Sequence, residues 1–371
     1  MRRAVARIDL GAIERNVVHL TGMLEPGAAM CTVVKANGYG HGMGESASAA
    51  IKGGATMLAV ATAGEAAALR PEVGDAPILV MGSVAGEEIG QALAAGAEIA
   101  IWRDASRELL GAVADELGVA PRVHVKHDSG MGRLGLRDPG EAAALVDAVA
   151  ADERMELVGV WTHFATADED AAFMLEQLES FRSIAEPAKE RHPDLIVHAA
   201  NSAATLREPV THFDLVRCGV AIYGLDPFGH DPRDHGLEPA LELRSYVADV
   251  KRFDAGSSAG YGRTWKADAG TWIAPVPIGY GDGWRRGLSN RANALVGGEK
   301  RPIVGTVSMD NVTVDLGPET SVSAFDEVVL IGERAGERIL VEDLARELGT
   351  INYEVTTALL PRVEREYEGG S

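Results

Sequence analysis

Charged and polar side chains follow five of the short apolar runs in the first 225 residues of the chain. In chain order they are Lys35, Lys126, Asp128, Arg133, His163, Asn201, Ser202 and Arg217, the last of which precedes Gly219 and Val220. Taken singly, each has an ordinary explanation, since a lysine or arginine beyond a strand is usually a solvated loop charge and a serine often caps a helix. Their repetition at the ends of successive runs indicates a shared site.

This site would be cationic in a chain whose formal net charge is −20. Lysines and arginines that converge in an otherwise acidic protein indicate an anionic ligand, most simply a phosphate. A lysine that is desolvated near other cations has a lowered pKa and readily forms a Schiff base with an aldehyde. Backbone N–H groups at Gly219 and Val220, with the Ser202 hydroxyl, would bind the phosphate. These residues therefore favour pyridoxal 5′-phosphate (PLP) as the cofactor.

The elements that must position these residues are short apolar runs that alternate with longer amphipathic segments. The runs are 31–35, 57–60, 78–82, 98–102, 122–126, 157–161, 195–199 and 214–217. They are continuously apolar, which is typical of strands covered on both faces. Helices are predicted between them at 45–53, 64–71, 86–95, 105–117, 140–152, 170–190 and 201–207. The pattern predicts a parallel β/α barrel with its active site at the C-terminal strand ends, and an open doubly wound sheet is the alternative.

The amino-acid composition changes at residues 226–236, which are rich in Pro, Gly, His and Asp and are typical of a linker. Strand-like segments follow, together with one predicted helix at 341–348. The strand segments are 240–253, 271–278, 292–296, 302–315 and 326–332. We predict a cofactor-binding barrel domain over residues 1–235 and a mainly β domain over 236–371, with the first few residues pairing with the second domain.

Charge and composition exclude several classes of function. A net charge of −20 repels nucleic acids and anionic membrane surfaces, so neither is an expected partner. Cys31 and Cys218 lie in apolar stretches and are predicted to be free thiols, and no metal site is expected. The N-terminus lacks the apolar segment of a secretory signal, and no run of about 18 apolar residues is present. The expected location is the cytoplasm.

Ten short motifs, spread over both predicted domains, resemble those of the alanine racemases. They are RIDLGAIERN (7–16), VVKANGYGHG (33–42), GMGRLG (130–135), THFATAD (162–168), NSA (201–203), RCGVAIYGLDP (217–227), AGYGRTW (259–265), IGYGDGW (278–284), SMDN (308–311) and INYEV (351–355). The resemblance implies an eight-stranded barrel joined to a C-terminal β domain. It also implies PLP dependence, interconversion of L- and D-alanine for peptidoglycan synthesis, and a homodimer whose active sites contain residues of the partner's C-terminal domain.

The resemblance assigns catalytic roles to particular residues. Lys35 would bind PLP as an imine and act as the base on the D-alanine face, while Tyr261 from the other subunit would remove the α-proton of L-alanine. Two bases on opposite faces are what racemisation requires, because one proton leaves one side and another arrives from the other. A relay from Tyr261 through His163 to Arg217 is implied, with Arg217 facing an unprotonated pyridine nitrogen.

The same resemblance assigns binding roles to residues of both predicted domains. The expected phosphate-binding residues are Tyr39, Ser202, Gly219, Val220 and Tyr353, with Asn201 supporting the phosphate loop. Arg133 matches the residue near the cofactor's phenolic oxygen and the substrate carboxylate, and Met309 would contribute a backbone N–H to that carboxylate. A narrow entrance corridor is implied that would favour small substrates. Its residues are Asp168, Tyr280, Arg286 and Tyr353.

One modification and two departures from the family pattern complete the comparison. Lys126 matches a lysine that is carbamylated in many relatives, where its new negative charge orients the arginine corresponding to Arg133; an ordinary pair with Asp128 is the alternative. Ser308 stands where many relatives have cysteine, and Glu364 stands where proline is expected. Neither departure changes a predicted catalytic group.

Three other functions are compatible with parts of this pattern. A broader-specificity racemase shares the fold, but such relatives are typically exported and accept larger substrates. A non-catalytic PLP-binding protein uses a related barrel and lysine, but lacks a C-terminal β domain with Tyr261 and Met309. A decarboxylase of similar architecture has different groups opposite the lysine, so the AGYGRTW motif (259–265) argues against it.

Overall fold

A closed barrel of eight parallel strands forms much of the computed structural model, which describes residues 2–370. The strands are β2 (Ala29–Val33), β3 (Met57–Val60), β4 (Ile78–Val80), β5 (Glu98–Ile101), β6 (Arg122–Lys126), β7 (Glu156–Trp161), β8 (Ile196–His198) and β9 (Leu215–Cys218). They follow one another in chain order, and β9 pairs with β2 to close the barrel. The predicted β/α barrel is confirmed, and the open sheet is excluded.

Helices connect these strands. Each of the seven predicted helices begins and ends within two residues of the corresponding observed helix. The helices are α1 (Leu10–Gly22), α2 (Lys35–Tyr39), α3 (Met43–Lys52), α4 (Ala63–Val73), α5 (Glu87–Ala94), α6 (Asp104–Leu117), α7 (Pro139–Ala150), α8 (Ala171–Arg191) and α9 (Ser202–Arg207). Side chains cap several of them, such as Asp170, whose carboxylate accepts from the Phe173 amide at the start of α8. The prediction missed α1, although Ile13, Val17 and Leu20 repeat at helical spacing and are buried.

A ten-stranded, largely antiparallel sheet contains most of the remaining strands. The strands are β1 (Val5–Asp9), β10 (Leu241–Tyr246), β11 (Lys251–Phe253), β14 (Thr271–Val276), β15 (Asn293–Val296), β16 (Glu299–Val304), β17 (Val312–Gly317), β18 (Glu327–Arg334), β19 (Glu337–Ile339) and β20 (Glu364–Glu368). Buried and partly exposed residues alternate along β10 and β17, because one face of the sheet packs on the core. A separate hairpin joins β12 (Ser258–Ala259) to β13 (Trp265–Lys266).

The first strand of the chain belongs to this sheet. β1 pairs antiparallel to β10 and parallel to β20. Two compact units result, which we call the barrel unit (13–38 and 43–222) and the sheet unit (39–42, the described residues up to Ala12, and those from Tyr223 onward). The domain boundary at residues 235 and 236 stays a prediction.

Two predicted strand segments are each divided in the sheet unit. The 240–253 segment forms β10 and β11, and the 302–315 segment forms β16 and β17. Gly305 follows β16 with a φ of +75°, and a Cβ there would lie 2.6 Å from the Ala259 carbonyl oxygen. The chain must therefore turn at this glycine, which opens the loop that carries Met309. The predicted helix at 341–348 is α10 (Val341–Leu348), and α11 (Asn352–Thr357) follows it.

No helix in residues 2–370 is long and apolar enough to cross a membrane.

Candidate active site

Lys35 begins a single helical turn of unusual hand directly beyond β2. Ala36, Asn37, Gly38 and Tyr39 have φ values of 52°, 54°, 61° and 53°, so the turn is left-handed. Residues other than glycine pay roughly 1–2 kcal/mol each for this conformation. Such strain persists only where surrounding contacts impose it, and it is concentrated at functional sites.

Contacts within the barrel unit hold this turn. The Ala36 amide donates to Glu65 Oε1 at 2.7 Å, and the Asn37 side-chain oxygen accepts from the Met43 amide at 3.2 Å. A Cβ on Gly38 would lie 3.2 Å from Ser46 Oγ, so this position has little room for a side chain. The backbone around Lys35 is therefore fixed from both sides.

Four cationic side chains share one electrostatic environment at the C-terminal ends of the barrel strands. Burial, with the charge of Arg133, lowers the pKa of Lys35. Burial, Arg217 and Arg133 lower the pKa of Lys126 to about 7. Burial and the same cations hold the pKa of His163 well below its ordinary value. The cluster therefore contains amines that lose their protons easily and a neutral imidazole.

Arg217 lies in β9 with its guanidinium held in one orientation. Its Nη2 donates to the carbonyls of Thr162 at 2.7 Å and Ala199 at 2.9 Å, and its Nη1 donates to His198 Nδ1 at 3.0 Å. Burial lowers its pKa to about 10, so the group remains charged at neutral pH. The ring of Trp161 lies 4.8 Å from the guanidinium carbon. Arg217 is thus an ordered, buried cation.

Lys126, at the end of β6, also packs against the indole ring of Trp161. Its Nζ is 4.1 Å from the centre of the Trp161 ring, and the residue is only 3% exposed. The neighbouring Asp128 accepts hydrogen bonds from the amides of Gly130 and Gly132, which shapes the loop that leads to Arg133. Lys126 is therefore a buried amine rather than a solvated surface charge.

The residues predicted at the seventh and eighth strand ends come together. Ser202 Oγ accepts from the Gly219 amide at 3.0 Å and from the Ala221 amide at 3.4 Å. The Asn201 side-chain oxygen accepts from the Ala204 amide at 3.0 Å and caps α9. Hydroxyl and backbone N–H groups of this kind are suitable donors to an anionic oxygen.

The sheet unit brings together another pair of predicted binding residues. The ring centres of Tyr39 and Tyr353 are 5.9 Å apart, and Tyr223 lies 5.3 Å from Tyr39. The Gly40 carbonyl accepts from Arg365 Nε at 3.1 Å, which fastens the segment after Tyr39 to β20. Two of the predicted phosphate-binding tyrosines are thus neighbours.

Tyr261 and Met309 protrude from the sheet unit. Tyr261 is 73% exposed and Met309 is 51% exposed. The Tyr261 carbonyl accepts from Thr306 Oγ1 at 2.8 Å, so its backbone is held although its ring is exposed. Ser308, one of the two residues that depart from the pattern described above, accepts from the Asn311 amide through its hydroxyl at 3.0 Å and closes the loop around Met309.

The predicted entrance residues divide between the two units. Asp168 is an exposed residue of the barrel unit, whereas Tyr280, Arg286 and Tyr353 belong to the sheet unit. The Tyr280 amide donates to the Ser308 carbonyl at 3.1 Å, which ties its loop to that of Met309. Within residues 2–370, no group of three or more histidines, cysteines, aspartates or glutamates could hold a metal ion.

Three buried residues of the barrel escaped the sequence analysis. Glu98, His124 and His198 lie inside runs that the pattern predicts only as apolar strands, and His198 is the imidazole that accepts a hydrogen bond from Arg217. An ionisable residue within a strand covered on both faces needs a buried partner. This rule, applied to the sequence, indicates that these three residues have buried polar partners inside the barrel. The predicted relay through His163 stays a prediction.

Comparisons with known proteins assign the chain to a family. Residues 8–227 match the family described as "Alanine racemase, N-terminal domain", and residues 240–367 match "Alanine racemase, C-terminal domain". An alanine racemase of Desulforamulus reducens is 39% identical over 98% of this chain and 98% of that protein. One from Geobacillus stearothermophilus is 42% identical over 97% of this chain and 92% of that protein.

Solved structures agree with this assignment. The crystal structure of alanine racemase from D-cycloserine-producing Streptomyces lavendulae has a TM-score of 0.94 and 38% identity, covering 100% of this chain and 98% of that one. The crystal structure of alanine racemase from E. faecalis has a TM-score of 0.92 and 38% identity, covering 99% of this chain and 98% of that one. Both domains are therefore similar in sequence and in fold.

Proposed function

The chain belongs to the alanine racemase family, and we propose that it interconverts L-alanine and D-alanine with PLP as its cofactor. The observation that carries this proposal is the cationic cluster at the strand ends, where Lys35 has a lowered pKa beside Arg133. An amine that gives up its proton more readily because it lies among cations is suited to bind an aldehyde that carries negative charge. The D-alanine formed would supply peptidoglycan synthesis.

The donor set fits PLP. Lys35, Arg133 and Arg217 concentrate positive charge in a chain whose net charge is −20, and a phosphate with a phenolic oxygen would offset it. The residues that would hold the phosphate are Tyr39, Asn201, Ser202, Gly219, Val220 and Tyr353. In support, the Gly219 amide donates a hydrogen bond to Ser202 Oγ, and the ring centres of Tyr39 and Tyr353 lie 5.9 Å apart. When bound, PLP withdraws electrons from the substrate's α-carbon and acidifies its proton.

Arg217 would face the pyridine nitrogen of PLP. Its three hydrogen bonds to His198 and to two backbone carbonyls keep the guanidinium in one plane. A group with a pKa of about 10 keeps its proton at neutral pH, so it donates a hydrogen bond and leaves the nitrogen unprotonated. Arg217 therefore limits electron withdrawal and disfavours side reactions such as transamination.

Two side chains would move the α-proton from opposite faces. Lys35 Nζ would hold the proton on the D-alanine face, and burial with the charge of Arg133 lowers its pKa, which eases release of that proton. Tyr261 Oη would hold the proton on the L-alanine face. Neutral His163 can accept a hydrogen bond from that hydroxyl, which assists its ionisation.

Tyr261 would act in the partner subunit of a homodimer. Tyr261 is 73% exposed and Met309 is 51% exposed, which leaves both available to a second copy of the chain. Met309 would donate its amide to the substrate carboxylate, while Arg133 would bind that carboxylate from the barrel unit.

The entrance residues would restrict the substrate to small amino acids. Tyr280, Tyr353, Arg286 and Asp168 would line the approach, and tyrosine rings leave little width for a long side chain. A substrate with a methyl side chain would pass most easily. This supports alanine over lysine or other bulky amino acids.

A time course by chiral chromatography tests the proposed function. Purified protein loaded with PLP is incubated separately with L-alanine, L-serine and L-lysine, and D-alanine serves as the reverse control. We expect alanine to reach an equimolar mixture from either direction, ahead of serine and lysine. Comparable conversion of lysine would replace the proposal with a broader-specificity racemase. Bound PLP without racemisation of any substrate would refute the activity and favour a non-catalytic PLP-binding protein.

Carbamylation of Lys126 is a further part of the proposal. The amine is 3% exposed, and burial with Arg217 and Arg133 lowers its pKa to about 7. The neutral amine would form an N–C bond with carbon dioxide and release a proton to solvent, which yields an anionic carbamate. Its charge would offset the surrounding cations and orient Arg133.

Protein prepared in ¹³C-bicarbonate should give a carbamate carbon signal by NMR. Because only the neutral amine reacts, the signal should grow as pH rises through about 7 and fall below it. Lys126→Arg is the matched control, since it keeps a cation but cannot be carbamylated in this way, and it should lose the signal. We expect it to lower kcat/KM by roughly 10- to 100-fold through misplacement of Arg133. An unchanged ¹³C signal in this variant would assign the carbamate to another amine.

A further inference from the structure

A continuous chain of polar side chains crosses the interior of the barrel from Arg217 to Glu98. Arg217 Nη1 lies 3.0 Å from His198 Nδ1, and His198 Nε2 lies 2.9 Å from His124 Nδ1. His124 Nε2 lies 2.7 Å from Glu98 Oε2. The other carboxylate oxygen of Glu98 accepts from Arg122 Nε at 2.8 Å. Three hydrogen bonds therefore connect Arg217 to a carboxylate on β5.

The direction of these hydrogen bonds follows from the chemistry of their ends. A guanidinium can only donate, so His198 must accept through Nδ1 and carry its proton on Nε2. His198 then donates to His124 Nδ1, which leaves the proton of His124 on Nε2. An ionised carboxylate can only accept hydrogen bonds, and Glu98 Oε2 is positioned to accept one from the Nε2–H of His124. Both imidazoles are thereby fixed in the same tautomer.

Burial prevents solvent from substituting for any hydrogen bond in this arrangement. Glu98, His124, His198 and Arg217 are each no more than 3% exposed, so water does not replace a lost partner. Burial, with Arg217 and His124, holds the pKa of His198 well below its ordinary value, which keeps that ring neutral. Burial raises the pKa of Glu98, but the hydrogen bonds from His124 and Arg122 outweigh it and lower the net value. Glu98 is therefore ionised at neutral pH.

We propose that Glu98 is a positioning residue for Arg217, acting through the tautomers of His124 and His198. In the opposite tautomer, His198 would present an N–H to the guanidinium, and two donors would face each other. Glu98 prevents this, because its ionised carboxylate requires a donor from His124 and so requires an acceptor toward Arg217. This inference rests on the proposed function only in that Arg217 faces the pyridine nitrogen.

The substitution Glu98→Gln distinguishes the proposed positioning role of Glu98 from a role in packing the barrel interior, because glutamine has nearly the same size as glutamate. Glutamine offers one acceptor oxygen and one NH₂ donor group where the carboxylate accepts from both His124 and Arg122. When its amide turns its N–H toward His124, both tautomers reverse and Arg217 loses its acceptor. Arg122→Gln is the matched control, since it removes the exposed partner of Glu98 and leaves the acceptor for His124 in place.

The first experiment observes the tautomers directly. Long-range ¹H–¹⁵N NMR of PLP-loaded, ¹⁵N-histidine-labelled protein should show His124 and His198 neutral and protonated on Nε2. Glu98→Gln should populate the Nδ1-protonated form of both rings, and Arg122→Gln should not. A wild-type His198 protonated on Nδ1, or on both nitrogens, would overturn the proposal. This readout stands even where Glu98→Gln does not fold, and it does not depend on racemase activity.

The second experiment is a double-mutant cycle with His198→Asn. The asparagine oxygen can accept from Arg217 without help from Glu98, so it disconnects the two residues. We expect Glu98→Gln to lower kcat by roughly 10- to 100-fold in the wild-type background. In the His198→Asn background the same change should cost less than about twofold. Equal losses in both backgrounds, or an equal loss in Arg122→Gln, would identify a structural role and overturn the proposal. Wild-type protein that binds PLP but does not racemise alanine would refute the proposed function instead.

Discussion

Replacement of Lys35 by alanine is expected to lower racemisation by at least about 10⁴-fold and to remove the long-wavelength absorbance of lysine-bound PLP. The variant loses the amine that would bind the cofactor and, with it, the proton carrier on the D-alanine face. Burial and the charge of Arg133 lower the pKa of this amine. Alanine has no amine, so the variant has neither the cofactor-binding group nor its lowered pKa. Absorbance spectra and the chiral time course measure the two losses separately.

The matched control is Lys52→Ala, which removes an exposed lysine at the end of α3 in the same unit. We expect this variant to keep both the absorbance and the activity of the wild type. Retention of the long-wavelength absorbance in Lys35→Ala would exclude Lys35 as the cofactor-binding lysine. The candidate to examine next would then be Lys126, a buried lysine whose pKa is also lowered.

The barrel and the location of Lys35 were predictable because one physical rule governs both. Strands covered on both faces are continuously apolar, and the C-terminal ends of parallel strands meet at one rim. A polar residue at the C-terminal end of such a run, or immediately after it, is therefore placed at that rim by the fold itself. Lys35, Lys126 and Arg217 followed from this rule before any contact was known.

The left-handed turn after Lys35 was not predictable. Positive φ is ordinary for Gly38 and tolerable for Asn37, but nothing local favours it for Ala36 or Tyr39. The conformation depends on tertiary contacts, such as the hydrogen bond from the Ala36 amide to Glu65. Local sequence gives only propensities, and here long-range contacts override them.

The polar chain behind Arg217 was partly predictable. Glu98, His124 and His198 stand in strands that the pattern required to be buried, so each needed a partner inside the barrel. Which residues would pair depended on the register of three separate strands. Sequence spacing alone does not fix that register, because residues 98, 124 and 198 are far apart along the chain.

The expected result for Tyr261→Phe is loss of racemisation with retention of PLP. Removing the hydroxyl eliminates one of two proton carriers, which is expected to cost roughly 10²- to 10⁴-fold in kcat. In D₂O, D-alanine should still exchange its α-proton through Lys35, whereas L-alanine should not. Proton NMR of each enantiomer measures this asymmetry. Tyr246→Phe, in β10 of the same unit, is the matched control and should behave as wild type.

Mixing the two inactive variants tests whether Tyr261 acts in the partner subunit. In a heterodimer of Lys35→Ala and Tyr261→Phe, a shared site would combine the intact lysine of one chain with the intact tyrosine of the other. Random reassortment should then restore about one quarter of wild-type activity, because half of the dimers carry one intact site of two. If Tyr261 acted within its own chain, each site would keep one defect and the mixture would stay inactive. Restored activity would therefore account for the 73% exposure of Tyr261, which a catalytic residue confined to its own chain would not need.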